Sequence, residues 1–253
     1  MKNDKPYVTP YCDGREKADQ VRDMFDNIAP DYDRLNRAMS FGMDKIWRKK
    51  AVQCVARSGA RDIVDIATGT ADFAISIVRA IPDSHVTGLD ISQNMINVGR
   101  NKISRLGLSD RITLKAGNCL DNPLQAASAD AVTVAFGVRN FSDILAGYRA
   151  MLRMLRPGGI ICVLELSTPV NAFVRPFYRL YTSGLIPLMG RIVSGDRRAY
   201  SYLPESIAAV PQADEMTNLM TQAGFCNASF QRLSLGVCTL YTAYSPSTHE
   251  KDL

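Results

Sequence analysis

Apolar residues recur at two periods along this chain, and the change of period divides it. Val21, Met24, Phe25 and Ile28 stand at i, i+3, i+4 and i+7, the stripe of an amphipathic helix that begins near Glu16 and stops at Pro30. The polar-aromatic stretch from Asp31 to Arg37 leads to Ser40-Phe41-Gly42. Met43, Ile46, Trp47, Ala51, Cys54 and Val55 then mark another helical face, so the first sixty residues read as helical. From Asp62 onward, short β-rich runs (62–67, 86–90, 112–115, 131–136 and 160–166) alternate with helical stripes. The stripes carry Ala74, Ile75, Val78 and Ile81; then Met95, Ile96, Ile103 and Leu106 behind Ser92 as N-cap; then Ile144, Leu145, Tyr148, Met151, Leu152 and Leu155. Arg156-Pro157-Gly158-Gly159 is expected to stop the last of these helices as a turn. This alternation predicts an α/β fold, a parallel sheet with helices on both faces. Residues 212–223 read as a helix, and 225–232 and 236–244 as two final strands close enough to pair.

Residues 169–210 break the rhythm. They are aromatic and basic, with Phe173, Phe177, Tyr178, Tyr181, Tyr200 and Tyr202 among Arg175, Arg179, Arg191, Arg197 and Arg198. The organisation expected is a loose arm (1–15), one domain (16–245) and a polar tail (246–253). Within the domain, 16–60 form a helical cap and 169–210 an insertion on the substrate side.

Composition narrows the chemistry. At 253 residues the chain can bury a core without a disulfide or metal staple. No apolar run approaches the ~20 residues of a membrane-spanning helix, and no apolar h-region follows Met1. Six cysteines without a CxxC read as reduced thiols in a cytoplasm, most of them small core residues. With two histidines, His-based catalysis and His-ligated metal are not expected. The net charge of +5 is spread without the long basic runs of a nucleic-acid tail. It suits an anionic ligand or an anionic membrane surface.

The strongest local signal joins the first two strands. Asp65-Ile66-Ala67-Thr68-Gly69-Thr70-Ala71-Asp72 is a tight turn entering a helix, and Gly69 lets the backbone approach a ligand. Asp90 ends the next strand, where a carboxylate can accept both hydroxyls of a ribose. A dinucleotide fold would place G-x-G-x-x-G here to meet a pyrophosphate. This turn has Gly69 alone, flanked by carboxylates Asp65 and Asp72 that would repel a diphosphate. S-adenosylmethionine, with a ribose, a sulfonium, an ammonium and no phosphate, fits better. Asn118 and Cys119 follow the third strand, where an amide can meet the adenine edge. Arg139 and Asn140 lie just past the fourth.

Several of these residues carry a family resemblance. Phe25-Asp26-Asn27-Ile28-Ala29-Pro30-Asp31-Tyr32-Asp33, Met39-Ser40-Phe41-Gly42, Phe136-Gly137-Val138-Arg139-Asn140, Glu165-Leu166-Ser167 and Tyr200-Ser201-Tyr202-Leu203-Pro204-Glu205-Ser206-Ile207 resemble the menaquinone/ubiquinone-biosynthesis C-methyltransferases over residues 16–245. Leu155-Arg156-Pro157-Gly158-Gly159 is shared more widely with class I methyltransferases. The resemblance implies a Rossmann-like, mostly parallel seven-stranded sheet with an antiparallel last strand, a helical N-terminal cap and a helical insertion after strand five. It implies that Thr70, Asp90, Asn118 and Cys119 contact S-adenosylmethionine, beside Gly69, with no metal. Ala71 stands where relatives often have glycine, and its small side chain is expected to be tolerated.

The reaction implied is ring C-methylation of a polyprenylated quinol, demethylmenaquinol going to menaquinol. The ring hydroxyl must lose its proton, and a phenol titrates near ~10. Arg139 can stabilise the oxyanion or orient a water but cannot serve as base; Tyr32 and Asn140 are positioned to hold the quinol oxygens. Arg139, Asn140 and Tyr32 are therefore the candidate catalytic residues. The alternatives are a benzoquinol acceptor on the ubiquinone pathway, another small-molecule acceptor, a non-catalytic S-adenosylmethionine-binding subunit, and a dinucleotide oxidoreductase. The aromatic-basic insertion either lines a path for the prenyl tail or packs as a cap, and Arg48-Lys49-Lys50 reads as a solvated helix face. The partners expected are the quinol, a peripheral membrane surface at the inner face and a second copy of the chain as a homodimer, with no nucleic acid.

Overall fold

The computed structural model describes residues 8–121, 124–185 and 197–247. Three helices open it: α1 (Lys17–Ile28), α2 (Tyr32–Met39) and α3 (Met43–Arg57). The α2–α3 turn closes on Gly42 at φ +76°, a left-handed position that suits glycine, with its N–H donating back to the Arg37 carbonyl. There follow β1 (Asp62–Ile66), α4 (Asp72–Ala80), β2 (His85–Asp90), α5 (Gln93–Arg105), β3 (Ile112–Ala116), β4 (Ala129–Ala135), α6 (Ile144–Met154) and β5 (Leu155–Leu166). After α7 (Val174–Leu180), which runs into one π turn (Tyr181–Leu185), come α8 (Arg197–Ala209), α9 (Asp214–Gln222), β6 (Cys226–Leu233) and β7 (Cys238–Tyr244). Ser92 caps α5 as expected, its hydroxyl accepting from Met95 N at 3.1 Å.

The seven strands form one sheet in the order β3-β2-β1-β4-β5-β7-β6. β1 to β5 pair in parallel, and β7 inserts antiparallel between β5 and β6. The chain reverses its direction of travel across the sheet between β1 and β4, so the carboxyl ends of these strands diverge into a crevice. Strands β1, β4 and β5 are buried almost throughout, because helices cover both faces. Trp47, Ala51 and Val55 of α3 pack with Phe73 and Ile77 of α4 on one face, while Tyr148 and Met151 of α6 pack with Met216 and Met220 of α9 on the other.

One expectation changes in detail. Arg156-Pro157-Gly158-Gly159 is a bulge within β5. Leu155 already pairs with Ala129, and the ladder resumes at Ile160 opposite Ala131. Gly158 lies at φ +76°, and a Cβ on Gly159 would come within 2.9 Å of the Arg156 and Asp130 carbonyl oxygens, so the bulge requires both glycines. Of the six free cysteines, Cys119, Cys162 and Cys238 are buried in the core and half-buried Cys54 packs against it, so most serve the core as expected; Cys226 is half-buried and Cys12 exposed.

Candidate active site

The β1–α4 turn is built from left-handed residues. Ala67, Gly69 and Ala71 have φ of +53°, +57° and +67°. Ala71 therefore stores strain, since its methyl must sit where an L-residue is disfavoured. Its tolerance is a matter of backbone conformation as well as size. The turn is closed by Thr68 N–H donating to the Leu89 carbonyl and Ala71 N–H to the Thr68 carbonyl. Helix α5 can lie against it because Gly99 has no side chain: a Cβ there would stand 3.3 Å from the Thr70 carbonyl carbon.

Asp90 reaches the turn from β2. One carboxylate oxygen accepts from Gly69 N at 2.8 Å and the other from Ser92 N at 2.9 Å. Burial pushes its pKa up to about 6, against the pull of these two amides. Asp65 is buried behind the turn, accepting from Thr68 Oγ1 at 2.6 Å and Thr133 Oγ1 at 2.7 Å, and burial raises it to about 6 as well.

A cleft of about 750 Å³ opens above these groups. Gly69, Asp90, Asn118, Cys119, Asn140 and Tyr32 all line it, so six of the eight residues singled out from sequence meet in one place. Asn118 accepts from Leu120 N at 3.1 Å through its Oδ1, which shapes the loop after β3. Burial pushes the Cys119 thiol up to about 11, so it contributes a wall and not a nucleophile. Phe25, Ile91, Met95, Leu120 and Phe141 supply apolar walls, and no lysine, arginine or histidine lines this lobe among the described residues.

That charge pattern corrects the reasoning about the turn. Asp65 and Asp72 do not face this lobe. Asp72 is paired with Lys102 at 2.7 Å and Arg48 at 3.5 Å, and Asp65 lies beneath the backbone. What disfavours a phosphate here is the missing cation, not the two carboxylates. Thr70 lies in a recess adjoining this lobe and not in its wall. Its hydroxyl donates to Asp33 and accepts from Lys102 Nζ at 3.1 Å, in a recess beside the lobe that Gly69 and Tyr32 share.

A second lobe of about 650 Å³ adjoins the first, with Tyr32 and Phe136 in the wall of both. It is lined mainly by apolar and aromatic residues, among them Met39, Trp47, Leu166, Tyr178, Tyr181, Leu203 and Ile207, with Arg48 and Arg139. Phe136 holds a left-handed φ of +61°, an unusual conformation for a bulky residue, and its ring meets Trp47 edge-on at 6.2 Å. Gly137 permits this bend, since a Cβ on it would lie 2.5 Å from the Ala67 Cβ. Tyr32 is hydrogen-bonded to Asn36, and burial raises its hydroxyl above the usual phenol range despite that bond.

Arg139 is buried beneath this second lobe. Its Nη1 donates to Glu165 Oε1 at 2.8 Å and to the Phe136 carbonyl, and its backbone N–H donates to Glu165 Oε2 at 3.1 Å. Burial works against its charge, but Glu165 outweighs it and raises the pKa above the ordinary guanidinium value. Its Nε is buried with no hydrogen-bond partner among the described residues. Asn140 accepts from the Tyr202 hydroxyl at 3.2 Å through Oδ1. Tyr202 thus supports a site residue from α8; the side chain of Tyr200 lies outside the described ones, as does Arg191.

Two contributors were missed in sequence. Arg48 was read as part of a solvated face, yet it is buried, paired with Asp44 at 2.7 Å and set in the second lobe, while Lys49 and Lys50 are exposed. The Asp44/Arg48 spacing of four was the available signal. Glu165 ends a buried strand, and nothing in its local sequence pairs it with Arg139. Among the described residues, no group of three or more His, Cys, Asp or Glu side chains is arranged to hold a metal ion.

Residues 14–245 match the model of the ubiE/COQ5 methyltransferase family. The chain is 42% identical over 236 residues to a demethylmenaquinone methyltransferase of Bacteroides fragilis, covering 93% of this chain and 96% of that protein. It is 46% identical over 235 residues to a protein of the same name from Porphyromonas gingivalis, covering 92% and 96%. It is 40% identical to a ubiquinone/menaquinone biosynthesis C-methyltransferase UbiE of Geobacter sulfurreducens, covering 90% and 89%. Among solved structures, the [4+2]-cyclase SpnF superposes with a TM-score of 0.70 at 17% identity, covering 96% of this chain and 99% of that one. A SAM-dependent methyltransferase from Aquifex aeolicus superposes with 0.57 at 15%, covering 77% and 89%. At these identities the two structures establish the class I methyltransferase fold alone.

Proposed function

The chain belongs to the ubiE/COQ5 methyltransferase family, and we propose that it transfers the methyl group of S-adenosylmethionine to a ring carbon of demethylmenaquinol, giving menaquinol. The observation that carries this reading is the contact between two unlike lobes. A cation-free lobe with one carboxylate meets an aromatic lobe with two buried arginines, Arg48 and Arg139, across Tyr32 and Phe136.

The first lobe suits the methyl donor. Asp90 is held by two amides with lone pairs left for a ribose diol. The apolar walls suit adenine, and an environment without cations accepts a sulfonium without competition. Bound there, S-adenosylmethionine would supply an electrophilic methyl. We assign Gly69, Asp90, Asn118 and Cys119 to its walls. Thr70 acts from behind, by anchoring the turn to Asp33 and Lys102.

The second lobe suits a quinol with a prenyl tail. When the ring hydroxyl loses its proton to water, the oxygen pushes its electron pair into the ring, and the adjacent carbon would form a bond to the sulfonium methyl as the methyl–sulfur bond breaks, its pair going to sulfur and S-adenosylhomocysteine leaving. Loss of the proton on that carbon then restores aromaticity. We assign Arg139 to stabilise the oxyanion, since its side chain lines this lobe. Tyr32, in the wall of both lobes, and Asn140, in the wall of the first, would orient the ring. The described parts of the insertion, 169–185 and 197–210, act as the substrate side of the domain, since Tyr178, Tyr181, Leu203 and Ile207 line this lobe. We place the protein in the cytoplasm, drawing its substrate from the membrane.

The test is an anaerobic assay with S-adenosylmethionine and chemically reduced demethylmenaquinol, read by mass for one added methyl. A benzoquinol acceptor is run beside it, because relatives such as the Geobacter sulfurreducens protein are named for both pathways. Methylation of the naphthoquinol is expected. No product from either ring, with the donor bound, would overturn the proposal.

A further inference from the structure

Helix α7 has two apolar faces. Tyr178 of the helix and Tyr181 just beyond it line the acceptor lobe. On the other side Phe173, Phe177 and Leu180, spaced i, i+4 and i+7, are 85%, 76% and 73% exposed. Helices of water-soluble proteins normally bury such a stripe. These residues are not isolated. Phe41, 75% exposed, stacks on Tyr181 with ring centroids 5.8 Å apart, and the Tyr181 hydroxyl donates to the Met39 carbonyl. Ile46 of α3 and Leu235 of the β6–β7 turn are exposed beside Trp47, whose indole donates to Ser234 Oγ at 2.8 Å. The exposed apolar groups therefore flank the acceptor lobe from three separate elements.

Their polar neighbours are cationic. Arg37, Lys45, Lys49 and Arg175 are exposed on the same elements. The acidic residues of α2 and α3 are engaged elsewhere: Asp33 with Lys102, Asp44 with Arg48 and Ser40. α7 carries no acidic residue. Exposed aromatic side chains on elements whose exposed charges are cationic have the composition of a surface that enters an anionic lipid headgroup layer. We propose that α7, the α2–α3 turn and the β6–β7 turn form a docking face for an anionic bilayer, with the outer stripe of α7 inserted at the interface. A long prenyl tail could then remain in the hydrocarbon while the ring enters the lobe on the inner face of the same helix. The inference rests on the proposed lipid-quinol substrate only for its purpose, not for the surface itself.

The experiment is co-sedimentation of the full chain with phosphatidylcholine vesicles, with and without phosphatidylglycerol. Binding to the anionic vesicles is expected, weakening as salt rises. Phe173→Ser with Phe177→Ser should lower the partition coefficient about tenfold or more per phenylalanine, with the thermal midpoint unchanged. Arg175→Glu with Lys45→Glu should remove only the preference for phosphatidylglycerol. Methylation of a short-tailed demethylnaphthoquinol without vesicles should be the same in the phenylalanine variant as in the parent, while methylation of a long-tailed quinol in vesicles falls. Equal partitioning of parent and variant, or no partitioning of the parent, would overturn the docking face. So would loss of self-association in the variant without loss of vesicle binding, which would make the face a contact between copies. Failure of both quinols as acceptors would sink the proposed substrate and leave the partition result to decide the surface.

Discussion

Arg139 and Glu165 are joined twice, once side chain to side chain at 2.8 Å and once from the Arg139 backbone amide at 3.1 Å, across 26 residues of sequence. Glu165 Oε1 also accepts from Leu166 N at 2.9 Å, so the carboxylate is fixed before it meets the arginine. The pair holds the guanidinium in one orientation in the wall of the second lobe. Glu165→Gln should therefore reduce kcat for methyl transfer while leaving the Kd for the donor nearly unchanged. Breaking a buried pair should also cost on the order of 3 kcal/mol of stability. Arg139→Ala should give the same split between kcat and Kd, and the double variant should lose little more than either alone. Turnover and calorimetric donor binding, measured on all three, check this; equal losses in kcat and donor affinity would mark the pair as structural only.

Asp90, assigned above to the donor's ribose, should make donor binding depend on pH. Burial holds its folded pKa at about 6, above the usual carboxylate range. Between the unfolded value near ~4 and about 6, the folded state binds more protons than the unfolded one. The contribution of Asp90 to the stability of the free protein thus declines as pH rises through that window. A ribose diol donating to the carboxylate favours its ionised form. Donor affinity should accordingly rise as pH increases toward about 6, up to tenfold per unit below it, and level off above. Isothermal titration in two buffers of different ionisation enthalpy would detect the released proton, and Asp90→Asn should flatten the profile while weakening binding throughout.

Lys102 ties three elements together. Its Nζ bonds Asp33 of α2, Asp72 of α4 at 2.7 Å and Thr70 of the turn at 3.1 Å. Lys102→Met leaves both carboxylates partly exposed and able to rehydrate, so the global loss should be near ~1 kcal/mol. The local effect should be larger: faster amide hydrogen exchange in α2, with the protection of β1 and β4 unaltered. High salt should mimic the variant in the parent protein.

Gly137 lets the end of β4 touch the β1 turn. In Gly137→Ala, the new methyl meets Ala67 Cβ, which has no rotamer to retreat into. The backbone must move instead, at a cost of about 1–3 kcal/mol. Because Phe136 divides the two lobes, that movement should lower kcat more than stability would suggest. Differential scanning calorimetry and turnover at a temperature well below the midpoint separate the two effects.

Much of the fold could be read from the order of residues. A parallel sheet buried on both faces writes short β-branched runs, its helices write stripes of period 3.6, and Ser92 and Gly42 mark where helices begin. The placement of Gly69, Asp90 and Asn118 at the ends of successive strands was legible for the same reason: parallel strands bring their carboxyl ends together whatever lies between them. What local sequence could not show were the relationships between distant elements. Glu165 meets Arg139 only because β5 lies beside β4. Arg48 has Asp44 on its own helix, a pairing the spacing could show, but it meets Asp72 of α4 only because α3 packs beside the β1–α4 turn. Thr70 faces Asp33 because α2 folds back across α4 and α5, an arrangement no single helix encodes. Periodicity tells each element which side to bury; which charged group then finds which partner is decided by how those elements pack in three dimensions.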